Sequence, residues 1–307
     1  MVDCIVSLTT WTKRISNPVL IEVLNSVVHQ ETKYGFQIVL VLSLAEFPGR
    51  ETGLPSELVE FIHANNIELL WTEDDLKAYK KLYPVQKKYP ELPIMTMDDD
   101  IMLEPTCVET FMDEHIANPE QILSEGGREF SPDGDTLTGT FRLFPPHSLP
   151  DIDSLYFKYW FQCCEDDAYL AVLAWAKGTQ TKILKTGLAK EIQNPELKTT
   201  ALRKQYRKID NRLCKINLLR ALKKTGLINK PIDGIIARYK KEQEEKEKQR
   251  QLRLQRIREK HQKQLEESQK QKQKQKQGIE QNKMRSKIHK PITIRHGLGR
   301  KRQSRAI

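Results

Sequence analysis

Three consecutive aspartates, Asp98, Asp99 and Asp100, have the clearest potential for chemistry in this sequence. Adjacent carboxylates repel one another, so a folded protein keeps such a cluster away from water only where a cation offsets the repulsion. Carboxylate oxygens suit Mg²⁺ or Mn²⁺, ions that often bridge the phosphates of a substrate. The alternative is a surface turn with solvated acids, and the triplet alone does not decide between the two.

A second acidic cluster, Glu165, Asp166 and Asp167, precedes an apolar helical run. Acids at the start of a helix are stabilised by the helix dipole and by capping, although one carboxylate is enough for a cap. A further carboxylate at this place could act as a general base toward a substrate hydroxyl. The residues alone leave both interpretations open.

Polar groups also follow two other apolar segments. Thr9, Thr10 and Arg14 offer hydroxyls and a guanidinium that can hold the base, ribose or diphosphate of a nucleotide. In the later stretch 73–81, Asp74 could accept a hydrogen bond from a base or ribose, and Lys80 or a neighbouring lysine could reach a phosphate. An ordinary polar loop and a capped surface helix would contain the same residue types.

The elements that position these groups follow from the apolar pattern. Buried strands are predicted over 3–8, 36–43, 67–71 and 93–97. Helices are predicted between them, over 18–29, over 55–64 and from Asp74 or Asp75 to Tyr83. This alternation predicts an α/β fold with a doubly wound, mostly parallel sheet, whose strand ends meet in one crevice. We therefore expect four loops to line that crevice: Thr9–Arg14, Ser43–Phe47, Thr72–Lys81 and Asp98–Asp100.

The remainder of the chain is less regular. A helix is predicted over 106–117, a strand over 137–144, an apolar helix over 168–176 and a cationic helix over 198–224. We expect a catalytic domain over 1–197, a helical extension of it over 198–237, and a basic tail, helical or disordered, over 238–307.

Charge is distributed unevenly along the sequence. The tail 238–307 has 24 Lys and Arg against 8 Asp and Glu, a net charge of +16, whereas the whole chain has +10. Residues 1–237 are therefore mildly acidic, which disfavours a nucleic-acid partner for the catalytic part. The tail suits peripheral contact with an anionic membrane.

The cysteines and the apolar stretches bear on the compartment. The five cysteines show no CxxC spacing, which is typical of a reducing environment and not of a disulfide framework or zinc site. The start of the chain lacks the basic region and apolar run of a signal peptide, and no stretch approaches the length of a membrane span. We expect a cytoplasmic protein, with any membrane contact at the inner face and peripheral.

Five segments in a fixed order resemble a known family. They are "IVSLTTWTKRI", "EDDLKAYKKLYPV", "DDDI", "FPPHSL" and "EDDAYL", and the resemblance covers about residues 1–220. Together they are similar to bacterial GT-A glycosyltransferases of the kind that make capsule, lipopolysaccharide and other surface glycans. The resemblance implies a Rossmann-like GT-A fold and a nucleotide-sugar-dependent enzyme. Such an enzyme transfers a sugar, with inversion, to a hydroxyl of a glycan or lipid-linked acceptor.

The resemblance also implies roles for individual residues. Thr9, Thr10, Arg14 and Asp99 would lie by the nucleotide-sugar, with Asp74 and Lys80 at its base and phosphates. Asp98 and Asp100 would bind Mn²⁺ or Mg²⁺, and Asp166, Asp167 or Glu165 would be the base. The sequence departs from the family at 138–144, where a glycine-rich stretch is reduced to the single Gly139.

Two rival functions predict different features. A nucleotidyltransferase needs a glycine-rich phosphate loop after the first strand, and Thr9–Arg14 contains no glycine. A nucleic-acid-binding or scaffold protein would act through the basic C-terminal region, with salt-sensitive binding that does not depend on Asp98–Asp100.

Overall fold

The computed structural model describes residues 1–127, 139–150, 166–200, 211–226, 228 and 232–288. Its internal contacts divide the chain into two compact units, Met1–Tyr239 and Lys240–Ile307. The description leaves out the candidate base Glu165, two of the five cysteines, Cys163 and Cys164, and residues 156–161, a stretch rich in aromatic side chains. The three-part division at 197 and 237 stays a prediction.

The first unit contains a seven-stranded sheet with the order β3-β2-β1-β4-β7-β6-β8. Its strands are β1 (Cys4–Thr9), β2 (Phe36–Ser43), β3 (Glu68–Thr72), β4 (Ile94–Asp98), β6 (Ile122–Glu125), β7 (Phe141–Phe144) and β8 (Thr181–Leu184). The first four strands are parallel, and β7 is antiparallel to both β4 and β6. A separate antiparallel pair joins β5 (Ile101–Leu103) to β9 (Ala189–Glu191).

The helices cover both faces of this sheet, which explains why apolar residues predominate on both faces of its central strands. They are α1 (Val19–Val28), α2 (Ser56–Ala64), α3 (Tyr83–Lys88), α4 (Cys107–Ala117), α5 (Asp166–Lys177), α6 (Pro195–Thr200) and α7 (Asn211–Lys224). Helix α1 buries Val19, Val23 and Val27 on one side, at helical spacing. Each such side chain contributes about 1.5–3 kcal/mol when fully buried.

The strand register sets the position of the acidic triplet. Thr9, the last residue of β1, pairs with Asp98, the last residue of β4, so these two strands end level. Thr9 also pairs with Val41, two residues before the end of β2. Because the strands are parallel, the loops that follow them leave the sheet at the same edge. This carboxyl edge is where Asp98, Asp99 and Asp100 lie.

The fold class predicted from the sequence, an α/β Rossmann-like fold with a mostly parallel central sheet and a basic C-terminal tail, is confirmed. The strand prediction over 36–43 matches β2 in full, and β1, β3 and β4 differ from their predictions by one residue. Of the predicted strand over 137–144, Phe141–Phe144 form β7, and residues 137 and 138 lie outside the description.

One helix prediction was wrong, and another falls partly outside the described residues. The helix expected from Asp74 or Asp75 to Tyr83 is instead a short 3₁₀ helix, Lys77–Lys81, followed by α3. Pro84 explains the break, because it has no amide hydrogen to donate to the carbonyl of Lys80, as an uninterrupted α-helix would require, and its ring would clash with that carbonyl. In the first turn of α3 no such bond is needed, so proline is tolerated there. The single helix expected over 198–224 is described as α6 and α7, and residues 201–210 lie outside the description.

The second unit is described through the greater part of one long helix, α8 (Asp233–Ile288). Its apolar side chains Leu252, Leu254, Ile257 and Leu265 are exposed. Local pairs support it, such as Arg250 with Glu247 at 3.5 Å and Gln251 with Glu247 at 2.6 Å. This is the helical form of the two states predicted for the tail.

Among the described residues, the structure contains no helix with the length and apolar character needed to cross a membrane.

Candidate active site at the carboxyl edge of the sheet

A cavity of about 400 Å³ opens at the carboxyl edge of the parallel strands. Residues from the loops after β1, β2, β3 and β4 line it, as the parallel topology predicts. The start of α5 and the segment from β9 to α6 complete its walls. The cavity is therefore built from sequence segments that are far apart along the chain.

Asp99 is the buried member of the acidic triplet. Its carboxylate accepts a hydrogen bond of 2.6 Å from Thr10 Oγ1 and another from Arg14. Arg14 Nη1 lies 3.1 Å from Asp100 Oδ2, so one guanidinium serves two neighbouring carboxylates. Arg14 also donates to Leu197 O at 2.8 Å and to Thr200 Oγ1 at 3.2 Å. The loop after β1 is thereby joined to both the triplet and α6.

The cations of the protein do not fully neutralise this cluster. Burial, together with the charges of Asp98 and Asp99, raises the pKa of Asp100 to about 6, against the opposing charge of Arg14. Burial also raises the pKa of Asp99, despite its bonds from Arg14 and Thr10. Ionised carboxylates with raised pKa values would be stabilised by a further cation.

Lys81 connects the triplet to the second acidic cluster. Its side chain is only 5% exposed, and its Nζ lies 2.5 Å from Asp98 Oδ1 and 2.9 Å from Asp166 Oδ2. The second contact is an ion pair without hydrogen-bond alignment. Burial alone would lower the pKa of Lys81, but Asp166 and Asp98 raise it above its usual range, so the lysine is a permanent cation.

Asp166 and Asp167 begin helix α5 and differ in their surroundings. Asp167 pairs with Arg142 of β7, and its side chain is 30% exposed, against 9% for Asp166. Burial raises the pKa of Asp167 to about 6. The charge of Arg142 opposes this rise, and the charge of Asp166 adds to it. For Asp166 burial is outweighed by Lys81 and Arg142, which lower its pKa. The two neighbouring carboxylates therefore have different proton affinities.

Gly139 is sterically required beside this pair. A Cβ at this position would lie 2.0 Å from Ser124 Oγ and 3.2 Å from Glu125 O. The carbonyl of Gly139 accepts a 3.2 Å hydrogen bond from Arg142, whose Nε has no hydrogen-bond partner within the described part of the chain. The one glycine that remains at 138–144 thus helps to hold the guanidinium that faces Asp167.

A separate ion-pair group occupies the side of the cavity near β2 and β3. Lys80, which is almost completely buried, contacts Glu46 at 2.7 Å and Asp75 at 2.9 Å. Burial raises the pKa of Asp75, but Lys80 and Lys77 lower it by a larger amount. Asp74 is exposed and does not line the cavity, whereas its neighbour Asp75 does.

Most of the candidate site residues are brought together. Those that line the cavity are Thr9, Thr10, Arg14, Lys80, Asp98, Asp99, Asp100, Asp166 and Asp167. Lys81, Arg142 and Glu46 were not singled out from the sequence. Arg142 could have been noticed, because it is a charged residue inside an otherwise apolar strand. Nothing in the local sequence distinguishes Lys81 from Lys80.

The donor set fits a hard divalent cation that also binds a phosphate. Across the described ranges, no group of three or more His, Cys, Asp and Glu side chains could enclose a metal by itself. Mg²⁺ commonly uses only one or two protein carboxylates and completes its shell with water and substrate phosphates. Asp98, with a side chain 54% exposed, and Asp100 at the cavity wall are suitable for such a site.

No protein-family model and no curated protein sequence matches the chain. Several solved structures are similar at low sequence identity. TarS from S. aureus is 12% identical over 64% of this chain and 38% of its own, with a TM-score of 0.44. TarS 1-349 in complex with UDP-GlcNAc is 13% identical over 78% of this chain and 71% of its own, with a TM-score of 0.45.

A mannosyltransferase from Pyrobaculum calidifontis, in complex with GDP-Man and Mn²⁺, is also similar. It is 13% identical over 76% of this chain and 68% of its own, with a TM-score of 0.46. In the first TarS structure, the match covers well under half of the TarS chain. At TM-scores below 0.5, these structures assign no role to any residue of this chain.

Proposed function

We propose that this chain is a metal-dependent glycosyltransferase of the GT-A type. It would move a sugar from a nucleotide-sugar donor to a hydroxyl of a glycan or lipid-linked acceptor, in the synthesis of surface polysaccharides. The observation that carries the proposal is the meeting of two acidic clusters across one cavity at the carboxyl edge of a parallel sheet. Parallel α/β sheets bind ligands at this edge.

Asp98 and Asp100 are the residues that would hold Mn²⁺ or Mg²⁺. When bound, such an ion offsets the negative charge that develops on a diphosphate leaving group. Asp99 is already engaged by Thr10 and Arg14, so its role would be to fix the loop after β1 against the other two aspartates.

The nucleotide would occupy the part of the cavity formed by the loops after β1, β2 and β3. Thr9 and Thr10 offer hydroxyls there. Asp75 lines the cavity and would accept a hydrogen bond from the base or ribose in place of Asp74. Lys80 is held by two carboxylates, which leaves one of its three ammonium hydrogens for a phosphate.

Of the two candidate bases that the structure describes, Asp167 is the better supported. It is more exposed than Asp166, and with a pKa of about 6 it is ionised near neutral pH yet basic enough to accept a proton. The acceptor hydroxyl would lose its proton to Asp167 as its oxygen bonds to the anomeric carbon. The bond from that carbon to the nucleoside diphosphate would break at the same time, with inversion. Asp166, paired with Lys81, would support the start of the helix.

The basic region 238–307 would hold the enzyme at the inner, anionic surface of a membrane, where lipid-linked acceptors are found. With a net charge of +16 it offers many cations, each contributing about 1 kcal/mol near such a surface.

The first experiment is a panel of nucleotide-sugars, with and without Mn²⁺, read by donor hydrolysis and by transfer. We expect a Mn²⁺-dependent response to one donor. Replacing both metal ligands, Asp98→Asn with Asp100→Asn, should reduce transfer at least about a thousandfold, a loss typical of removing a key charge-stabilising element. Asp113→Asn, on the surface of α4, is the matched control. Transfer that survives the double substitution would refute the proposal.

A second candidate function rests on the exposed basic helix α8. Nucleic-acid binding through 238–307 would appear as salt-sensitive RNA affinity, unchanged by substitution of Asp98 and Asp100. RNA binding without a response to any sugar donor would favour this candidate.

A further inference from the structure

Lys81 joins the acidic triplet to the start of helix α5. One buried ammonium lies 2.5 Å from Asp98 Oδ1 and 2.9 Å from Asp166 Oδ2. Asp98 is a candidate metal ligand, and Asp166 adjoins the candidate base. The lysine therefore links, from behind the cavity wall, the two acidic groups that would cooperate in sugar transfer.

The adjacent Lys80 shows that this placement is specific. Both lysines are almost fully buried, yet Lys80 contacts Glu46 and Asp75 instead. In a 3₁₀ helix successive side chains point about 120° apart, which sends neighbours to different partners. The flanking Tyr79 and Leu82 are buried in the hydrophobic core and fix the rotation of this short helix.

We infer that Lys81 is a positioning residue that holds Asp98 and Asp166 in one arrangement and keeps the affinity of the empty site for a divalent cation low. The inference rests on the proposed function. An ammonium so close to Asp98 repels a second cation at the same carboxylate. The diphosphate of the donor supplies the negative charge that overcomes this repulsion. Lys81 would thereby make binding of a divalent cation depend on the presence of the nucleotide.

The inference predicts two effects of opposite sign for Lys81→Met. Without donor, Mn²⁺ affinity at pH 8 should rise about tenfold, because the competing cation is gone. The kcat for transfer should fall at least about tenfold, because Asp98 and Asp166 are no longer held together. Free Mn²⁺ measured by electron paramagnetic resonance gives the first quantity, and steady-state kinetics gives the second. A lysine with a purely structural role would lower both together.

Two further variants serve as matched controls. Lys81→Arg keeps the charge and should bind Mn²⁺ as the unaltered protein does. Lys80→Met removes an equally buried lysine with different partners and should leave donor-free Mn²⁺ affinity within about twofold, because its charge does not contact the triplet. If Lys81→Met does not fold, Lys81→Met with Asp166→Asn removes one charge of each sign and should still bind Mn²⁺ more tightly.

Each outcome bears on one proposal separately. Mn²⁺ affinity that is unchanged or weaker in the folded Lys81→Met variants would overturn the role of Lys81, even if the unaltered protein transfers sugar. Mn²⁺ binding that follows the expected order, without sugar transfer to any acceptor, would support the Lys81 site and overturn the glycosyltransferase. If neither the unaltered protein nor Lys81→Met binds Mn²⁺, both proposals fail.

Discussion

The cavity at the carboxyl edge of the sheet and the exposed helix of the second unit both concentrate charge, but in opposite ways. In the cavity Arg14 and Lys81 each contact two carboxylates and are almost excluded from water. In the helix the ionic groups are exposed, and the pair Arg250–Glu247 is 3.5 Å apart. The buried ion pairs at the cavity determine the local geometry of the side chains around them. The exposed charges of the helix act mainly through their sum.

The largest expected effect tests the summed charge. A chain that ends at Tyr239 loses 23 Lys and Arg and only 8 Asp and Glu, so it should lose its affinity for vesicles that contain phosphatidylglycerol. Vesicle co-sedimentation at low and high salt measures this, with phosphatidylcholine vesicles as the control. Transfer to a soluble acceptor should stay within about twofold, since the cavity lies in the first unit and the removed charges would act only at a membrane surface. If the shortened chain binds these vesicles as strongly as the full chain, the summed charge of the second unit is not what binds the membrane, and the two regions do not differ in this way.

The next effect tests the buried pairs. Arg142→Met leaves Asp167 without its cation, and breaking a buried pair in this way costs about 3–5 kcal/mol of the free energy of unfolding. Lys190→Met, which breaks the exposed pair with Glu104 in the same unit, should cost less than about 1 kcal/mol.

Tryptophan fluorescence during denaturant unfolding can measure both variants. All four tryptophans precede residue 240, so the signal reports the first unit alone. Equal costs for the buried and the exposed pair would show that exposure is not what separates the two kinds of charge.

The smallest effect concerns a histidine that is less buried than the cavity cations and less exposed than the charges of α8. His115 of α4 is partly buried, burial lowers its pKa, and its Nδ1 lacks a hydrogen-bond partner among the described residues. Because the folded state binds the proton less tightly than the unfolded state, stability is complete above the unfolded pKa near 6.5 and is lost as the pH falls below it.

His115→Gln should remove that loss. The free energy of unfolding at pH 7.5 and at pH 5.5 should therefore differ by less in His115→Gln than in the unaltered protein. An identical difference in both proteins would mean that burial of this imidazole has no effect on stability.

The parallel strands were predictable because their signal is local. Runs such as 38–42 are apolar at every position, and a strand buried on both faces needs this composition. The short strands β5 and β9 gave no such signal, since each has three residues and owes its existence to a partner far away in sequence. Pairing between distant segments is a tertiary effect that local composition does not record.

The same limit applies to the site. Parallel topology predicted that the loops after β1 to β4 would meet, and the cavity contains residues from all of them. Which cation faces which acid was not predictable, because Lys80 and Lys81 are chemically identical neighbours. Their different partners follow from the rotation of the 3₁₀ helix, which Pro84 and the buried Tyr79 and Leu82 set together.

The 3₁₀ helix Lys77–Lys81 restricts how this chain can change in length. One residue inserted before Lys80 would turn both lysines by about a third of a revolution and direct them away from their carboxylates. Substitutions in this segment can be compensated one at a time, but an insertion or deletion would disturb the ion pairs of Lys80 and Lys81 together. Among descendants of this sequence, length variation should therefore accumulate elsewhere, and the spacing from Asp75 to Lys81 should stay fixed.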